Sequence, residues 1–193
     1  MPPDRGPSRW PNYRAKQTGR GRKFHHLAAG SPETRQSCRR MNPPNRQLIL
    51  MADDDCDDQL LVEDALKECQ TGDAIKFVCN GEELMDYLLQ RGDYSAPGSA
   101  PLPSLILLDL NMPRKDGREA LAEIRRHPDL RRIPVVVFTT SKADTDVNGL
   151  YDLGANSFVP KPTAYDALVK IMNALSDYWF GIAELPQPKL KRL

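Results

Sequence analysis

The chain has 193 residues, a net charge of +1 and 40% hydrophobic residues, enough for one domain with a full core. Its charge is unevenly distributed: residues 1–46 carry eleven Lys or Arg and two acidic residues, whereas the remaining residues carry 16 Lys or Arg and 24 acidic residues. No run approaches the ~20 apolar residues of a membrane helix, and the N-terminus lacks the apolar segment of a secretory signal. The sequence therefore argues against a membrane-spanning protein and against a secreted one, and it favours a soluble, cytoplasmic protein.

Residues 1–46 form a basic segment rich in Pro, Gly, Ser and Arg, without apolar periodicity. It offers too little apolar surface to offset the entropy of ordering it, so we predict a disordered N-terminal extension. Three interpretations of it stay open: a transit peptide, a nucleic-acid-binding tail, or a sequence upstream of a true start at Met41. The last is the simplest.

From Leu48 onward, short apolar runs alternate with helical patterns, which is typical of a parallel sheet with crossover helices. The predicted strands are 48–52, 74–78, 104–108, 134–139 and 156–159. The predicted helices are 59–70, 82–90, 118–126, 144–153 and 164–179, with Thr163 as the N-cap of the last. Residues 92–103, rich in Pro and Gly, are predicted as a surface insertion. The pattern thus gives five βα units.

Polar residues stand where the predicted strands end. Asp53, Asp54 and Asp55 follow the first strand, Asp109 ends the third, Thr139 closes the fourth, and Lys161 follows the fifth. Ligands of open parallel sheets bind beyond the carboxyl ends of the strands, so these side chains are expected to converge. Each alone is ordinary, since an Asp cluster after a strand is often only a solvated helix cap. Their joint placement predicts one anionic site.

The predicted site suits Mg²⁺, a hard cation that takes oxygen ligands and keeps several waters. Asp54 and Asp109 are the expected direct ligands, Asp53 holds a bound water or orients the pair, and Asn111 offers its backbone carbonyl. A carboxylate is also a competent nucleophile toward phosphorus. We therefore predict that Asp109 accepts a phosphoryl group. Lys161 is expected to pair first with Asp109 and, after transfer, with a phosphoryl oxygen. The hydroxyl of Thr139 is expected to donate a hydrogen bond to another phosphoryl oxygen.

These residues resemble the receiver domains of two-component response regulators. The resemblance covers residues 47–177 and rests on Leu-Met-Ala-Asp-Asp, Leu-Leu-Asp-Leu-Asn-Met-Pro-Arg-Lys-Asp-Gly, Val-Val-Phe-Thr-Thr-Ser and Gly-Ala-Asn-Ser-Phe-Val-Pro-Lys-Pro. The spacings of 30 residues from Asp109 to Thr139 and 22 from Thr139 to Lys161 also fit the family. The resemblance implies a doubly wound parallel α/β sheet, the flavodoxin-like (βα)5 fold with strand order 2-1-3-4-5. It further implies phosphorylation of Asp109 by a histidine kinase and Mg²⁺ on Asp54, Asp109 and the carbonyl of Asn111.

The resemblance also implies a switch and a type of partner. Thr139 takes the position of the switch hydroxyl, Phe158 that of the switch aromatic, and the Lys161–Pro162 bond that of a cis peptide. The segments Thr-Thr-Ser-Lys-Ala-Asp and Tyr-Trp-Phe are similar to single-domain regulators partnered with phytochrome-type kinases. Such a protein is a phosphoacceptor in a phosphorelay rather than an enzyme.

An aromatic tail, residues 178–193, is expected to follow the receiver, and no output domain follows it in this sequence. Tyr178, Trp179 and Phe180 suit a partner or homodimer contact, or else they fold back onto the receiver core.

Two rival functions stay open from sequence. A haloacid-dehalogenase-like phosphohydrolase also uses Asp and Mg²⁺ on a parallel sheet, and it would be phosphorylated on Asp53 rather than Asp109. A nucleic-acid-binding protein would act through residues 1–40, and its affinity would fall steeply with salt.

Overall fold

The structure is a computed structural model that describes residues 47–69, 72–140 and 147–186. All of these residues lie in one compact unit that spans Arg40–Leu193. The predicted disordered extension, residues 1–46, lies outside the described residues. Within the described ranges, no helix is long and apolar enough to cross a membrane.

Five parallel strands form a single sheet in the order β2-β1-β3-β4-β5, which confirms the predicted (βα)5 flavodoxin-like fold. The strands are β1 Leu48–Ala52, β2 Ala74–Val78, β3 Leu105–Leu108, β4 Val135–Thr139 and β5 Ser157–Pro160. Strands β3 and β4 are buried along their whole length, as expected for interior strands of a sheet that carries helices on both faces.

Five helices cover the sheet: α1 Cys56–Glu68, α2 Gly81–Leu89, α3 Gly117–Arg126, α4 Val147–Asp152 and α5 Tyr165–Ser176. Alternate residues of each strand point to opposite faces, so the apolar core divides into two layers. One layer packs β-strand residues such as Ile49 and Phe138 against α1 and α5. The other packs residues such as Leu50 and Val137 against α2 and α3.

Local polar contacts explain where three helices begin. Asp55 accepts hydrogen bonds from the backbone N–H groups of Asp57 and Asp58, so α1 begins at Cys56, earlier than the apolar pattern alone predicts. Asn80 caps α2 and Asp116 caps α3 in the same way. The predicted Thr163 cap is wrong: Ala164 occupies the N-cap position of α5 and makes no side-chain cap bond.

The predicted insertion at residues 92–103 is held against α2 by specific hydrogen bonds. The hydroxyl of Tyr87 donates to the carbonyl of Pro101 at 3.0 Å, and Gln90 Nε2 donates to the carbonyl of Ala100 at 2.9 Å. The hydroxyl of Tyr94 donates to Glu83 Oε1 at 2.6 Å. The insertion therefore packs along α2, and through Tyr94 and Glu83 it reaches the first turn of that helix.

The helical path continues past α5 into a wider π-helical turn, Asp177–Ile182. Trp179 and Phe180 are partly buried and pack against the core layer beneath α1 and α5, whereas the side chains of Tyr178 and Ile182 are 53% and 76% exposed. The aromatic segment is therefore divided: two of its side chains fold back onto the receiver, and two apolar side chains face outward. The described part of the tail ends at residue 186.

Candidate functional site

Main-chain hydrogen bonds between neighbouring strands bring the predicted site residues to one edge of the sheet. The N–H of Asp53 donates to the carbonyl of Val78 at 3.0 Å, and the N–H of Asp109 donates to the carbonyl of Ala52 at 2.9 Å. The N–H of Lys161 donates to the carbonyl of Thr139 at 2.8 Å. Each residue thus continues the parallel ladder by one step, and this places Asp53, Asp109, Thr139 and Lys161 at adjacent strand ends.

Three carboxylates meet at this edge. Oxygen atoms of Asp53, Asp54 and Asp109 lie within 4.8 Å of one another. Asp53 is fully buried, Asp109 is 7% exposed, and Asp54 is exposed at the mouth. An all-oxygen donor set with one open side suits a hard divalent cation that keeps part of its hydration shell. The chemistry of these residues therefore fits Mg²⁺ or Mn²⁺.

Lys161 supplies the positive charge of the site, and it has closer partners than Asp109, with which it is predicted to pair. Its ammonium nitrogen lies 2.6 Å from Asp53 Oδ2 and 2.7 Å from Asp58 Oδ2, and 3.9 Å from Asp109 Oδ2. A separation of 3.9 Å is an ion pair without a hydrogen bond. Lys161 therefore binds Asp53 and Asp58 directly and only approaches Asp109.

Asp58 is a site residue that the strand-end argument missed. It lies in the first turn of α1 and its side chain is 31% exposed. Because α1 begins directly after the β1 loop, an acidic residue in its first turn faces back toward the carboxyl edge of the sheet. The spacing of five residues after Asp53 is the signal that could have identified it. Gln59 was also missed; its Nε2 donates to the Asp53 carbonyl at 2.7 Å.

Thr139 is fully buried at the end of β4, and its hydroxyl has no hydrogen-bond partner among the described residues. Phe158 is partly buried on β5, where it pairs with Val137 and packs in the α2/α3 layer. Residues two apart on a strand share a face, so Thr139 and Val137 point to the same side of the sheet. Thr139 and Phe158 thus lie on one face. The backbone carbonyl of Asn111, an exposed residue two positions after Asp109, stays a predicted ligand.

The expected cis peptide at Lys161–Pro162 is wrong, because no cis peptide bond occurs in the described ranges. The trans isomer of an X–Pro bond is favoured by ~1 kcal/mol in the absence of other constraints.

The cysteines of the described residues, Cys56, Cys69 and Cys79, form no disulfide.

Burial dominates the electrostatics of Asp53. Desolvation raises its pKa from 3.8 to about 6, the charge of Asp109 adds to this, and Lys161 opposes it through a hydrogen bond and its charge. Burial acts to lower the pKa of Lys161, but its hydrogen bonds with Asp53 and Asp58 outweigh burial, and the pKa is raised. The pocket therefore keeps its ammonium and holds one carboxylate that titrates above the ordinary range.

The pKa of Asp53 predicts a pH dependence of stability in metal-free protein. Between the unfolded value of 3.8 and the folded value of about 6, the folded state binds more protons than the unfolded state. The free energy of unfolding should therefore fall as pH rises through this window. Asp53→Asn should flatten this slope, because an amide does not titrate in this range.

Urea unfolding followed by circular dichroism in the presence of EDTA, at several pH values from about 4 to about 7, tests this expectation. Asp57→Asn is the control, because Asp57 is an exposed acid in the first turn of α1. A slope that is the same in wild type and Asp53→Asn would contradict the assignment.

The fold and site together describe a doubly wound α/β protein with an acidic, cation-compatible pocket and one buried Lys at the carboxyl edge of its sheet. Comparison with known proteins identifies this arrangement. The family model of the response regulator receiver domain matches residues 49–173. The chain belongs to the response regulator receiver family, and this confirms the predicted resemblance.

Two known regulatory proteins are similar to this chain over most of its length. The chain is 41% identical over 145 residues to response regulator Rcp1 of Synechocystis sp. This alignment covers 75% of this chain and 95% of Rcp1. It is 34% identical over 142 residues to the probable methanogenesis regulatory protein FilR2 of Methanothrix harundinacea, covering 73% of this chain and 88% of FilR2.

Solved structures give the same result. The phosphorylated cyanobacterial phytochrome response regulator RcpA superposes with a TM-score of 0.68 at 39% identity, covering 74% of this chain and 99% of RcpA. The Mn²⁺-bound form of Rcp1 gives a TM-score of 0.66 at 40% identity, covering 73% of this chain and 99% of Rcp1. The chain is thus a receiver domain similar to single-domain regulators of two-component signalling. These comparisons support neither the hydrolase nor the nucleic-acid-binding alternative.

Proposed function

We propose that this receiver accepts a phosphoryl group on Asp109 from the phosphohistidine of a sensor histidine kinase. The observation that carries the proposal is the Asp109 carboxylate, which is nearly buried after the end of β3, belongs to the acid cluster with Asp53 and Asp54, and lies 3.9 Å from the Lys161 ammonium. In the transfer, a carboxylate oxygen of Asp109 forms a bond to phosphorus as the phosphorus–nitrogen bond breaks. The electron pair stays on the imidazole, which then takes a proton. The protein acts as phosphoacceptor in this reaction and not as a hydrolase.

The residues of the pocket divide the work of transfer. Asp54 and Asp109 would hold Mg²⁺ directly with the carbonyl of Asn111, and Asp53 would hold one of its waters. When bound, Mg²⁺ neutralises the charge that would otherwise repel a phosphoryl donor from the pocket. Lys161 provides the one ammonium next to Asp109 among the described residues. The unpaired Thr139 hydroxyl is a donor for a phosphoryl oxygen.

The position of Asp53 argues against the hydrolase chemistry. Its carboxylate is fully buried and lies 2.6 Å from the ammonium of Lys161, and its other oxygen accepts the N–H of Asp55 at 3.1 Å. One oxygen thus accepts a hydrogen bond and the other forms a buried ion pair with Lys161, which suits a positioning role more than a nucleophilic one.

Incubation with acetyl phosphate tests the proposed function directly. With Mg²⁺ the full chain should gain the mass of one phosphoryl group, and peptide mapping after reduction with borohydride should place it on Asp109. Replacing Mg²⁺ by EDTA should remove the modification. Modification of Asp53, or none under either condition, would overturn the proposal.

We further propose that Thr139 and Phe158 form the switch that passes the signal to the surface. A phosphoryl oxygen that draws the Thr139 hydroxyl toward it would change the packing next to Phe158, which is only partly buried and lies on the same face of the sheet. Phe158 carries no hydroxyl, so packing alone sets its position.

The switch predicts different behaviour for two variants of Thr139. Thr139→Val removes the hydroxyl and should still bind beryllofluoride, yet the amide resonances of β5 and α4 should respond weakly. Thr139→Ser keeps the hydroxyl and should respond as wild type does. Equal responses in the two variants, measured in amide NMR spectra, would refute the coupling.

The partners form the last part of the proposal. Similarity to RcpA, a phytochrome response regulator, supports a phytochrome-type histidine kinase as phosphoryl donor. The exposed side chains of Tyr178 and Ile182 provide an apolar surface at the end of α5 for self-association. Light scattering of wild type and a Tyr178→Ser/Ile182→Ser variant, with and without beryllofluoride, tests the second point. Tyr151→Ser is the control, since Tyr151 is 49% exposed on α4. A monomeric wild type in both states would reject self-association.

A further inference from the structure

We propose that Asp58 is a positioning residue that holds Lys161 away from Asp109 until phosphorylation draws the ammonium across. The proposal rests on the proposed function of the site, because it concerns the same Lys and the same acceptor. Its basis is the unequal set of contacts around one ammonium group: 2.6 Å to Asp53, 2.7 Å to Asp58 and 3.9 Å to Asp109.

Lys161 cannot easily leave these contacts for water. Its side chain is 7% exposed, and an ammonium has three N–H donors. The ion pair with Asp53 joins two almost fully buried groups. The bond to Asp58 is different, because Asp58 belongs to a helix rather than to a strand end and its side chain is 31% exposed. Of the two short contacts, the one to Asp58 is the one that water can replace.

Asp58 is itself fixed in place. It lies in the first turn of α1, where the helix dipole favours an anion, and the capping carboxylate of Asp55 accepts its backbone N–H at 3.4 Å. Asp58 therefore attracts Lys161 toward the start of α1, whereas Asp109 lies at the end of β3. A shift of about 1 Å would bring the ammonium from 3.9 Å to hydrogen-bond distance of Asp109 or of an oxygen bound to it.

The two directions of attraction compete. The carboxylate of Asp58 attracts the Lys161 ammonium by its charge as well as by a hydrogen bond, so it restrains Lys161 more than a neutral amide would. A phosphoryl group adds charged oxygens on the Asp109 side and moves the balance. Asp58 thus competes with the phosphoryl group for the Lys161 ammonium. Removing the charge of Asp58 should therefore favour the phosphorylated state.

The test compares beryllofluoride affinity in five forms of the full chain at saturating Mg²⁺, by amide NMR titration. Asp58→Asn should bind beryllofluoride roughly threefold to tenfold more tightly than wild type, since the neutral amide no longer attracts the Lys161 ammonium as an anion does. Asp57→Asn removes the same charge one residue away, where the side chain is exposed, and should change the affinity by less than about twofold. The difference between these two variants separates the Lys161 contact from the general effect of charge.

A double-mutant cycle with Lys161→Gln completes the test. In that background Asp58→Asn should no longer change the affinity, because the group on which Asp58 acts is gone. Weaker or unchanged binding by Asp58→Asn, or an equal gain with and without Lys161, would overturn the proposal. Failure of wild type to bind beryllofluoride with Mg²⁺ would instead overturn the proposed function, so the two failures are distinguishable.

Discussion

Asp109→Asn should abolish phosphorylation of this protein while leaving its fold intact. The substitution keeps the size of the side chain and removes the nucleophilic oxygen, and no other described carboxylate lies at the end of β3. Labelling by acetyl phosphate with Mg²⁺ should fall to background, because an amide oxygen does not form a stable acyl phosphate. Mass spectrometry of the intact protein provides the measurement, and circular dichroism verifies the fold.

Asp57→Asn is the matched control for this experiment. It makes the same chemical change at an exposed position of the first turn of α1, and it should be phosphorylated as wild type is. Residual modification of Asp109→Asn at the wild-type level would mean that another residue is the acceptor.

Gly117→Ala should destabilise the fold and disturb the site together. A β-carbon at position 117 would overlap the carbonyl oxygen of Asp109 and lie 2.8 Å from Cα of Leu110, so the backbone would have to move. The N–H of Gly117 also donates to the Leu110 carbonyl at 3.0 Å, which holds α3 against the loop after β3. We expect a loss of about 2 kcal/mol or more in the free energy of unfolding.

Gly181→Ala is the control, because no atom lies within 4 Å of the corresponding β-carbon. Urea unfolding gives the stability of both variants, and Mg²⁺ titration by NMR shows whether the site moves. The Gly117 variant should bind Mg²⁺ more weakly than wild type, and the Gly181 variant should not. Wild-type stability of Gly117→Ala would contradict the close approach.

Residues that follow a strand could be placed from sequence, since alternation of apolar runs fixes which residues end the strands. Asp53, Asp109, Thr139 and Lys161 belong to this group, and the ladder bonds explain why the inference succeeds. Helix starts were less predictable, because α1 begins with polar residues and depends on the cap provided by Asp55. An apolar pattern carries no information about a polar first turn.

The contacts of Lys161 illustrate what sequence spacing does not determine. Spacing predicts that Lys161 and Asp109 approach each other, and they do to 3.9 Å. Which carboxylate takes the short hydrogen bonds depends on the orientation of α1, a tertiary property. Gly117 is similar, because only the packing of α3 against the Asp109 backbone shows that a side chain cannot fit there.

The inward-facing Trp179 gives the protein a spectroscopic reporter at a distance from its chemistry. Trp179 lines a groove of about 560 Å³ together with Val159 of β5 and Ile171 of α5. The chain has two tryptophans, and the other, Trp10, belongs to the N-terminal segment, so Trp10→Phe leaves a single emitter. Because Val159 of β5 lines the same groove and β5 leads directly to Lys161, a displacement of this strand should change the environment of Trp179 and hence its fluorescence. The end of α5 can thus be followed optically while Asp109 is modified.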